Sequence, residues 1–426
     1  MSAPGPARRL RVVIDARLRD GESGGVQQTL VGLAHGLSQL EGEEEYLFLA
    51  MQQSCEWLRP HVHGPCSILP GPAWTDANAP LVRRLTRRLA SSDWLRRRVE
   101  RGALGRFVRV EVPRSDGTIE RAGADVMHFA LQAGFWTSTP SIYVPHDLQH
   151  AHHPEYFSPF ELRWRAAHYG PLARQASAVV ALSRWGRRDL VEHLHLPPEK
   201  IPVIGWAPAI DVARESEAVQ ATTERQRFEL PDDFILYPAQ TWRHKNHLRL
   251  LEALAVLRDR HGLTVHAVFT GRLNDFYPVI RRRVRALRLE AQTTFLGFVP
   301  DQILPSLYRA ARVLAFPSEF EGFGMPLLEA FRAGLPAACS NAASLPELAG
   351  DAALIFEPGV VDSIAEAIHR LWTDGGLRER MADRGRQRVA NSSWLEVARR
   401  YRALYRTLAG RLPSGEDAEL LREIRS

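Results

Sequence analysis

The strongest constraint in this chain is an alternation that runs twice along it. Short apolar runs of strand length are separated by single stretches with helical periodicity. In the first series, Leu10-Arg-Val-Val-Ile14 leads into Asp15, then a glycine turn at Gly24-Gly25, then a helical period in Val26, Leu30, Leu33 and Leu37. Tyr46 to Ala50, Val126-Met-His-Phe129, Ser141-Ile-Tyr-Val144, Ala178-Val-Val-Ala-Leu182 and Ile201-Pro-Val-Ile204 read as further strands. The second series opens with Phe234-Ile-Leu-Tyr237 and a helix from His247 to Arg260 with apolar Leu250, Leu251, Leu254 and Leu257. Val265-His-Ala-Val-Phe269, Thr294-Phe-Leu296, Val313-Leu-Ala-Phe316 and Ala353-Leu-Ile-Phe356 follow as strands. Strands joined by single helices imply parallel sheets with right-handed crossovers. The expected class is therefore α/β, with two Rossmann-like, doubly wound domains. Residues 208–230 between the series are charged and lack apolar periodicity, as a linker with room for one short helix would. The expected organisation is a first domain over 1–207, the linker 208–230, a second domain over 231–391 and a C-terminal segment over 392–426. Ligands bind such sheets outside the carboxyl ends of the strands, so a cleft between the domains is the expected site. Residues 55–120 are irregular and rich in Pro and Arg, and no element is placed there.

At 426 residues the chain exceeds one ordinary core, which agrees with two domains of about 200 residues each. Its 45% hydrophobic and 24% charged residues exclude a disordered or fibrous protein. No uninterrupted apolar run approaches the roughly 18 residues of a membrane span. The Pro/Gly-rich, basic start reads as a disordered lead-in, and the apolar run after it is too short for a signal peptide. The three cysteines, Cys55, Cys66 and Cys339, lack CxxC or metal-type spacing, so a reducing cytoplasm and no structural zinc are expected.

The net charge of +6 is unevenly spread. Residues 83–109 hold Arg83, Arg84, Arg87, Arg88, Arg96, Arg97, Arg98, Arg101, Arg106 and Arg109, interleaved with Leu81, Leu85, Leu89, Trp94 and Leu95. No nucleic-acid-binding signature accompanies them. They form either a solvated helical face or a basic amphipathic segment resting on an anionic bilayer.

The segment richest in chemistry is Pro317-Ser-Glu-Phe-Glu-Gly-Phe-Gly-Met-Pro-Leu-Leu-Glu-Ala-Phe-Arg-Ala-Gly-Leu-Pro336. Pro326 suits the first turn of a helix, and Gly322-Phe-Gly324 before it lets backbone N–H groups come close to a ligand. A helix start with unpaired N–H groups is an anion site, and a diphosphate is its natural guest. Glu321 and Glu329 flank it. Carboxylates repel phosphates, so these two suit hydrogen bonds from sugar or ribose hydroxyls.

With Glu321 and Glu329 separated by seven residues around Gly-Phe-Gly-Met-Pro, the segment resembles the family 4 retaining glycosyltransferases, whose hallmark is E-x7-E inside EGFGxPxLEA…GxP. The resemblance spans nearly the whole chain. It implies the GT-B fold: an acceptor-binding N-domain, a nucleotide-sugar-binding C-domain and a C-terminal helix that crosses back. Ser393-Trp394 and the helical stretch from Val397 to Leu408 look like that returning segment. It also implies that Glu321 contacts the transferred sugar, Glu329 the nucleotide ribose, and the N–H groups around Phe323, Gly324 and Met325, beside Gly322, the sugar and diphosphate. Tyr237-Pro-Ala-Gln-Thr-Trp-Arg-His-Lys-Asn246 is similar to the family's donor-phosphate loop, with Lys245 at its lysine position. The arginine common five residues earlier is replaced by Gln240, and Arg243 is the candidate substitute. His146, directly after a strand and beside Asp147, matches the acceptor-domain histidine that contacts the transferred sugar. Gly24-Gly25-Val26 resembles the N-terminal glycine loop near the donor phosphates and acceptor, which puts Gly25 at the donor site.

No DxD motif is present. The expectation is therefore transfer without a metal or other cofactor. Lys245, Arg243 and the helix start near Gly324 neutralise the diphosphate, and the leaving phosphate takes the acceptor proton in a front-face attack. His150, His152 and His153 add histidine density after His146, but the string forms no recognised metal box and no metal is expected there. The loop strings look most like bacterial mannosyltransferases of the family, giving GDP-mannose as first donor and a UDP-sugar as next. The acceptor would be a saccharide, lipid-linked or otherwise, in surface polysaccharide or glycolipid synthesis. The expected location is the cytoplasm, at the inner face of the membrane if the arginine stretch binds it. An epimerase or phosphorylase on the same fold, or a non-catalytic sugar-nucleotide-binding scaffold at the membrane, remains open from sequence.

Overall fold

The structure is a computed structural model that describes residues 8–19, 24–51, 55–71, 74–75, 110–209, 224–300 and 302–425. The chain divides into two compact units, Met1–Trp206 with Ser393–Ser426, and Ala207–Ser392. The arginine-rich residues 83–109 and most of the linker stretch 208–230 lie outside the described residues.

The first unit holds a six-stranded parallel sheet of β1 (Leu10–Asp15), β2 (Glu44–Met51), β3 (Cys66–Gly71), β4 (Val126–Phe129), β5 (Ser141–Tyr143) and β6 (Ala178–Val179), in the order β3-β2-β1-β4-β5-β6. The second repeats the plan with β7 (Ile235–Pro238), β8 (Ala267–Thr270), β9 (Thr293–Gly297), β10 (Val313–Phe316), β11 (Ala337–Ser340) and β12 (Ala353–Phe356), in the order β9-β8-β7-β10-β11-β12. Central strands such as Val126-Met-His-Phe129 and Val313-Leu-Ala-Phe316 are buried at every position, because helices cover both faces of a parallel sheet. In each sheet the chain lays down three strands in one direction and then crosses to the other side of the first. That reversal creates a switch point between β1 and β4, and another between β7 and β10. Loops leaving neighbouring strands in opposite directions open a crevice there.

The alternation located most strands, with informative departures. Ile201–Ile204 is no strand; its Val203 makes only an isolated bridge to Ala181. The strand β11, short and alanine-rich (Ala337-Ala-Cys-Ser340), was not anticipated, since a run without β-branched residues gives little strand signal. β3 lies in the stretch 55–120 that the sequence left unplaced. The first helix, α1 (Gly24–Ser38), begins at the glycine pair itself instead of after it.

The C-terminal segment completes the first unit. Helix α6 (Trp394–Leu408) starts at Ser393, whose side chain accepts the Glu396 N–H as a cap, and it packs along α1. Gly32 and Gly36, one turn apart on α1, make this possible: a Cβ at Gly32 would overlap the Trp394 indole, and one at Gly36 the Trp394 carbonyl. Further along, Arg406 on α6 holds two buried carboxylates, Glu44 of β2 at 2.8 Å and Asp417 of α7 (Gly415–Arg425) at 3.0 Å. Removing one partner from such a group leaves an uncompensated buried charge, costing about 3–5 kcal/mol. The Val203 N–H donates to the Ile424 carbonyl, anchoring the end of α7 beside the first sheet.

Both units bury neutral imidazoles in their cores. His128 on β4 is 1% exposed, its Nδ1 lying 2.8 Å from the Tyr405 hydroxyl, and burial pushes its pKa down to about 3 from 6.5. His247, at the start of α4 (His247–His261), is likewise pushed down to about 3 by burial, with Lys245 adding to the effect. The unfolded chain takes up these protons below about pH 6.5 and the folded chain does not, so acid favours unfolding. Unfolding free energy from urea titrations should fall as pH drops from about 6.5 towards 4, each histidine adding a slope of up to about 1.4 kcal/mol per pH unit. His128→Gln should flatten that slope; a wild-type stability constant over this window would contradict the burial assignment.

Candidate active site

At the switch point of the second sheet, the loops after β7 and β10 meet. After β7 the chain makes a short 3-10 turn, Arg243–Lys245, and enters α4 through Asn246, which sits in the left-handed region at φ 58°. Asn246 is buried, and its Nδ2 donates to the carbonyls of Pro317 and Pro358 at 3.0 and 2.9 Å. One amide therefore fixes the lysine turn to the loop after β10. The Glu319 N–H donates to the His244 carbonyl at 2.8 Å, a second tie between the same loops. Tyr237 on β7 donates its hydroxyl to the Lys245 carbonyl at 2.7 Å.

These ties bring Lys245 Nζ to 2.6 Å from Glu321 Oε1. Both side chains are mostly covered, 18% and 11% exposed, so each is the other's counterion. Charge-assisted bonds of this length are among the stronger ones, and partial burial limits screening by salt.

Beyond Glu321 the backbone turns into helix α5 (Met325–Ala333). Gly324 caps it at φ 120°, a conformation that side-chain-bearing residues rarely adopt, and a Cβ there would lie 2.6 Å from Leu345. Pro326 sits in the first turn, where its missing N–H costs nothing. Ser344 braces the turn by donating to the carbonyls of Glu321 and Phe323 at 2.9 and 2.7 Å. With those carbonyls held, the opening N–H groups of α5 keep a fixed direction. Glu329 is buried on the same helix and accepts a hydrogen bond from Tyr308 at 2.6 Å. Gly322 is half-buried, Phe323 and Met325 are buried, and Arg243 is exposed on the lysine turn. Gln240, at the position where the family resemblance leads one to expect arginine, accepts from the Trp242 indole N–H at 3.1 Å.

The switch point of the first sheet carries a different set. Arg17 just past β1 forms a buried, two-pronged ion pair with Asp15, its Nε donating to Oδ1 at 2.7 Å, and the guanidinium lies over the Phe135 ring. Gly25 lies in the first turn of α1, and a Cβ there would meet no described atom within 4 Å, so packing does not demand glycine at this position. His146 follows β5 in the left-handed region, φ 68°, an unusual conformation for a residue with a side chain. Its ring packs on Trp206 and its Nε2 lies 2.9 Å from the Ala130 carbonyl. A carbonyl only accepts, so Nε2 carries the proton and Nδ1 holds the lone pair. That Nδ1 is buried with no hydrogen-bond partner among the described residues, and burial lowers the ring's pKa.

Glu321, Glu329, Lys245, Arg243 and the 322–325 turn thus gather in the second unit, while His146 and Gly25 belong to the first. Sequence reasoning missed the braces Asn246, Ser344 and Tyr308 and the Asp15–Arg17 pair. Asn246 adjoins Lys245 and was within reach; Tyr308 and Ser344 lie just outside the motif, nine residues before and eight after it, and carry no signal of their own. A further cluster also went unseen: His152 lies beside Asp189 and His193, brought together from separate elements. No described helix is long and apolar enough to cross a membrane.

The chain is similar in sequence and fold to known glycosyltransferases. A sequence model of group 1 glycosyl transferases matches residues 220–388, and one of glycosyltransferase family 4 matches residues 23–214. O-antigen chain mannosyltransferase B of Escherichia coli is 30% identical over 266 residues, covering 60% of this chain and 70% of that protein. The serotype-specific mannosyltransferase WbdA of Escherichia coli is 30% identical over 241 residues, which is 53% of this chain but 28% of WbdA. Among solved structures, Anabaena HepE in complex with UDP and glucose superposes with a TM-score of 0.68 at 19% identity, covering 93% of this chain and all of HepE. WaaG, a glycosyltransferase of lipopolysaccharide biosynthesis, gives 0.63 at 16% identity over 94% of this chain and all of WaaG. The fold is GT-B, and the chain belongs to family 4 of the glycosyltransferases.

Proposed function

We propose that the protein transfers a hexose from a nucleotide-sugar to an acceptor hydroxyl with retention of anomeric configuration, in the synthesis of a surface polysaccharide or glycolipid. The observation that carries this reading is the Lys245–Glu321 pair at the β7/β10 switch point, next to the start of α5. The donor's diphosphate takes over Lys245, joined by Arg243 and the N–H groups at Gly324 and Met325. Glu321, released from the lysine, accepts hydrogen bonds from the sugar hydroxyls, and Glu329 from the ribose. The bond from C1 to the phosphate oxygen breaks, the acceptor oxygen bonds C1 on the same face, and the leaving phosphate receives the acceptor's proton. As negative charge grows on that phosphate, fixed cations and N–H groups stabilise it more than they do the intact donor. These groups meet the diphosphate without a divalent ion, and His146 is assigned a contact with the transferred sugar on the strength of the family resemblance.

The Escherichia coli mannosyltransferases among the relatives support mannose, and hence GDP-mannose, as first donor. HepE, solved with UDP-glucose, keeps a UDP-sugar as the next choice. In a thermal-shift panel of GDP-, UDP-, ADP- and dTDP-sugars, the true donor should raise the melting temperature by mass action. With that donor, Glu321→Ala should cut kcat about 100-fold or more in protein that still unfolds cooperatively. NMR should find the donor's anomeric configuration in the product, and Mg²⁺ added back after chelation should leave the rate unchanged. Full turnover by Glu321→Ala, an inverted product or a large Mg²⁺-dependent gain would each overturn its part of the reading.

We assign to the arginine-rich residues 83–109 a contact with an anionic bilayer, where a lipid-linked acceptor would be presented. Binding to vesicles containing acidic phospholipid should weaken steeply with salt and with replacement of Arg96, Arg97 and Arg98 by Gln; salt-insensitive or absent binding would remove the assignment.

A further inference from the structure

Three side chains outside the donor site converge at one point of the first unit. His152 closes helix α2 (Gln149–His152), six residues after His146, and Asp189 and His193 lie one turn apart on α3 (Arg184–Leu194). Asp189 Oδ1 is 2.6 Å from His152 Nε2 and 3.1 Å from His193 Nδ1, and one ligand atom from each residue falls within 4.8 Å of the others. Asp189 is 5% exposed, whereas the two imidazoles are 29% and 30% exposed, so the carboxylate is inside and the cluster opens to solvent through its histidines. The His152 ring packs against Trp185 and against His193, which fixes its orientation.

A carboxylate this covered requires compensation. Each imidazole turns one nitrogen towards it, and His193 Nδ1 also lies 3.1 Å from the Asp189 backbone carbonyl. A dication satisfies the carboxylate in full and uses both nitrogen lone pairs. Two imidazoles and one carboxylate suit zinc-class ions better than magnesium or calcium, which prefer oxygen. Metal–ligand bonds of about 2.0–2.2 Å place neighbouring ligand atoms roughly 3.3 Å apart. Small side-chain rotations reach that spacing from the distances seen here. Three protein ligands leave the fourth tetrahedral position to water.

We propose that His152, Asp189 and His193 bind a divalent transition-metal ion of the zinc class, tying α2, and with it the His146 segment, to α3. The ion binds the lone-pair nitrogen of each ring, and the ring proton sits on the other nitrogen. The proposal is independent of the glycosyl-transfer reading. The site serves to hold the His146 loop and takes no part in neutralising the diphosphate.

The test uses full-length protein without a histidine tag, stripped with chelator and titrated with Co²⁺, with Zn²⁺ as competitor. One Co²⁺ per chain should bind with the intense visible absorption of a four-coordinate site, Zn²⁺ should displace it, and Zn²⁺ should raise the melting temperature. His152→Ala and His193→Ala, both at exposed positions, should weaken binding at least about tenfold and abolish the thermal shift. His261→Ala should change nothing; His261 forms a histidine pair with His369 in the other unit. Absence of stoichiometric binding, binding unaltered by the His152 and His193 variants, or binding lost with His261 would overturn the assignment.

Discussion

A lysine and a glutamate neutralise one another where the strand order of the second sheet reverses, and the surrounding loops are built to keep them there. Lys245 ends a single 3-10 turn and Glu321 lies in a loop. Their positions come from Asn246, which pins the lysine turn to Pro317 and Pro358, and from Ser344, which holds the carbonyls on either side of Gly322. These bonds run from side chain to backbone and are buried or nearly so. Each would leave a polar group unsatisfied if broken, which costs more than the bond itself contributes. The site is thus pre-formed and already charge-balanced before a ligand arrives. In the proposed reaction an incoming diphosphate exchanges one anionic partner of the lysine for another, and the sugar hydroxyls take over Glu321.

The first unit solves a different problem. It keeps imidazoles neutral and aimed. His146 is held in an uncommon backbone conformation with its proton directed at the Ala130 carbonyl, leaving a lone pair on the buried Nδ1. His146 is close enough for its charge to add to the lowering of the His128 pKa by burial, and His128 is tied to Tyr405 on the returning helix α6. The C-terminal segment therefore completes the floor of the first unit's core, and the glycine pair on α1 admits it. The His152–Asp189–His193 cluster joins the end of α2, six residues after His146, to α3.

The alternation of strand and helix was legible because fully buried parallel strands must be apolar on both faces. The E-x7-E segment was legible because its glycines, proline and acids each serve a local need that permits few alternatives. What was not legible depends on long-range contact. β11 is alanine-rich, and what makes it a strand is its place between β10 and β12, which a local pattern does not encode. Ile201–Ile204 is apolar enough for a strand, yet at the edge of the sheet it is spanned by the end of α7 and pairs through one bridge only. The helix start at Gly24 was set too late because a glycine pair reads as a turn from propensity alone. Among the candidate site residues, the charged groups of the motifs stood out in the sequence and their braces did not. A serine and a tyrosine just outside the motif look like any others until the fold sets Ser344 under the Glu321 turn and Tyr308 against Glu329.

The claim at the centre is that Glu321 and the donor's diphosphate compete for Lys245. Calorimetric titration of a bare nucleoside diphosphate, GDP first, into wild-type, Glu321→Gln and Lys245→Ala protein measures that competition without any transfer step. The account predicts that Glu321→Gln binds at least as tightly as wild type and that Lys245→Ala binds at least about tenfold more weakly, a loss of about 1.4 kcal/mol or more. Equal weakening by both variants, or unchanged affinity on removal of the lysine, would contradict it.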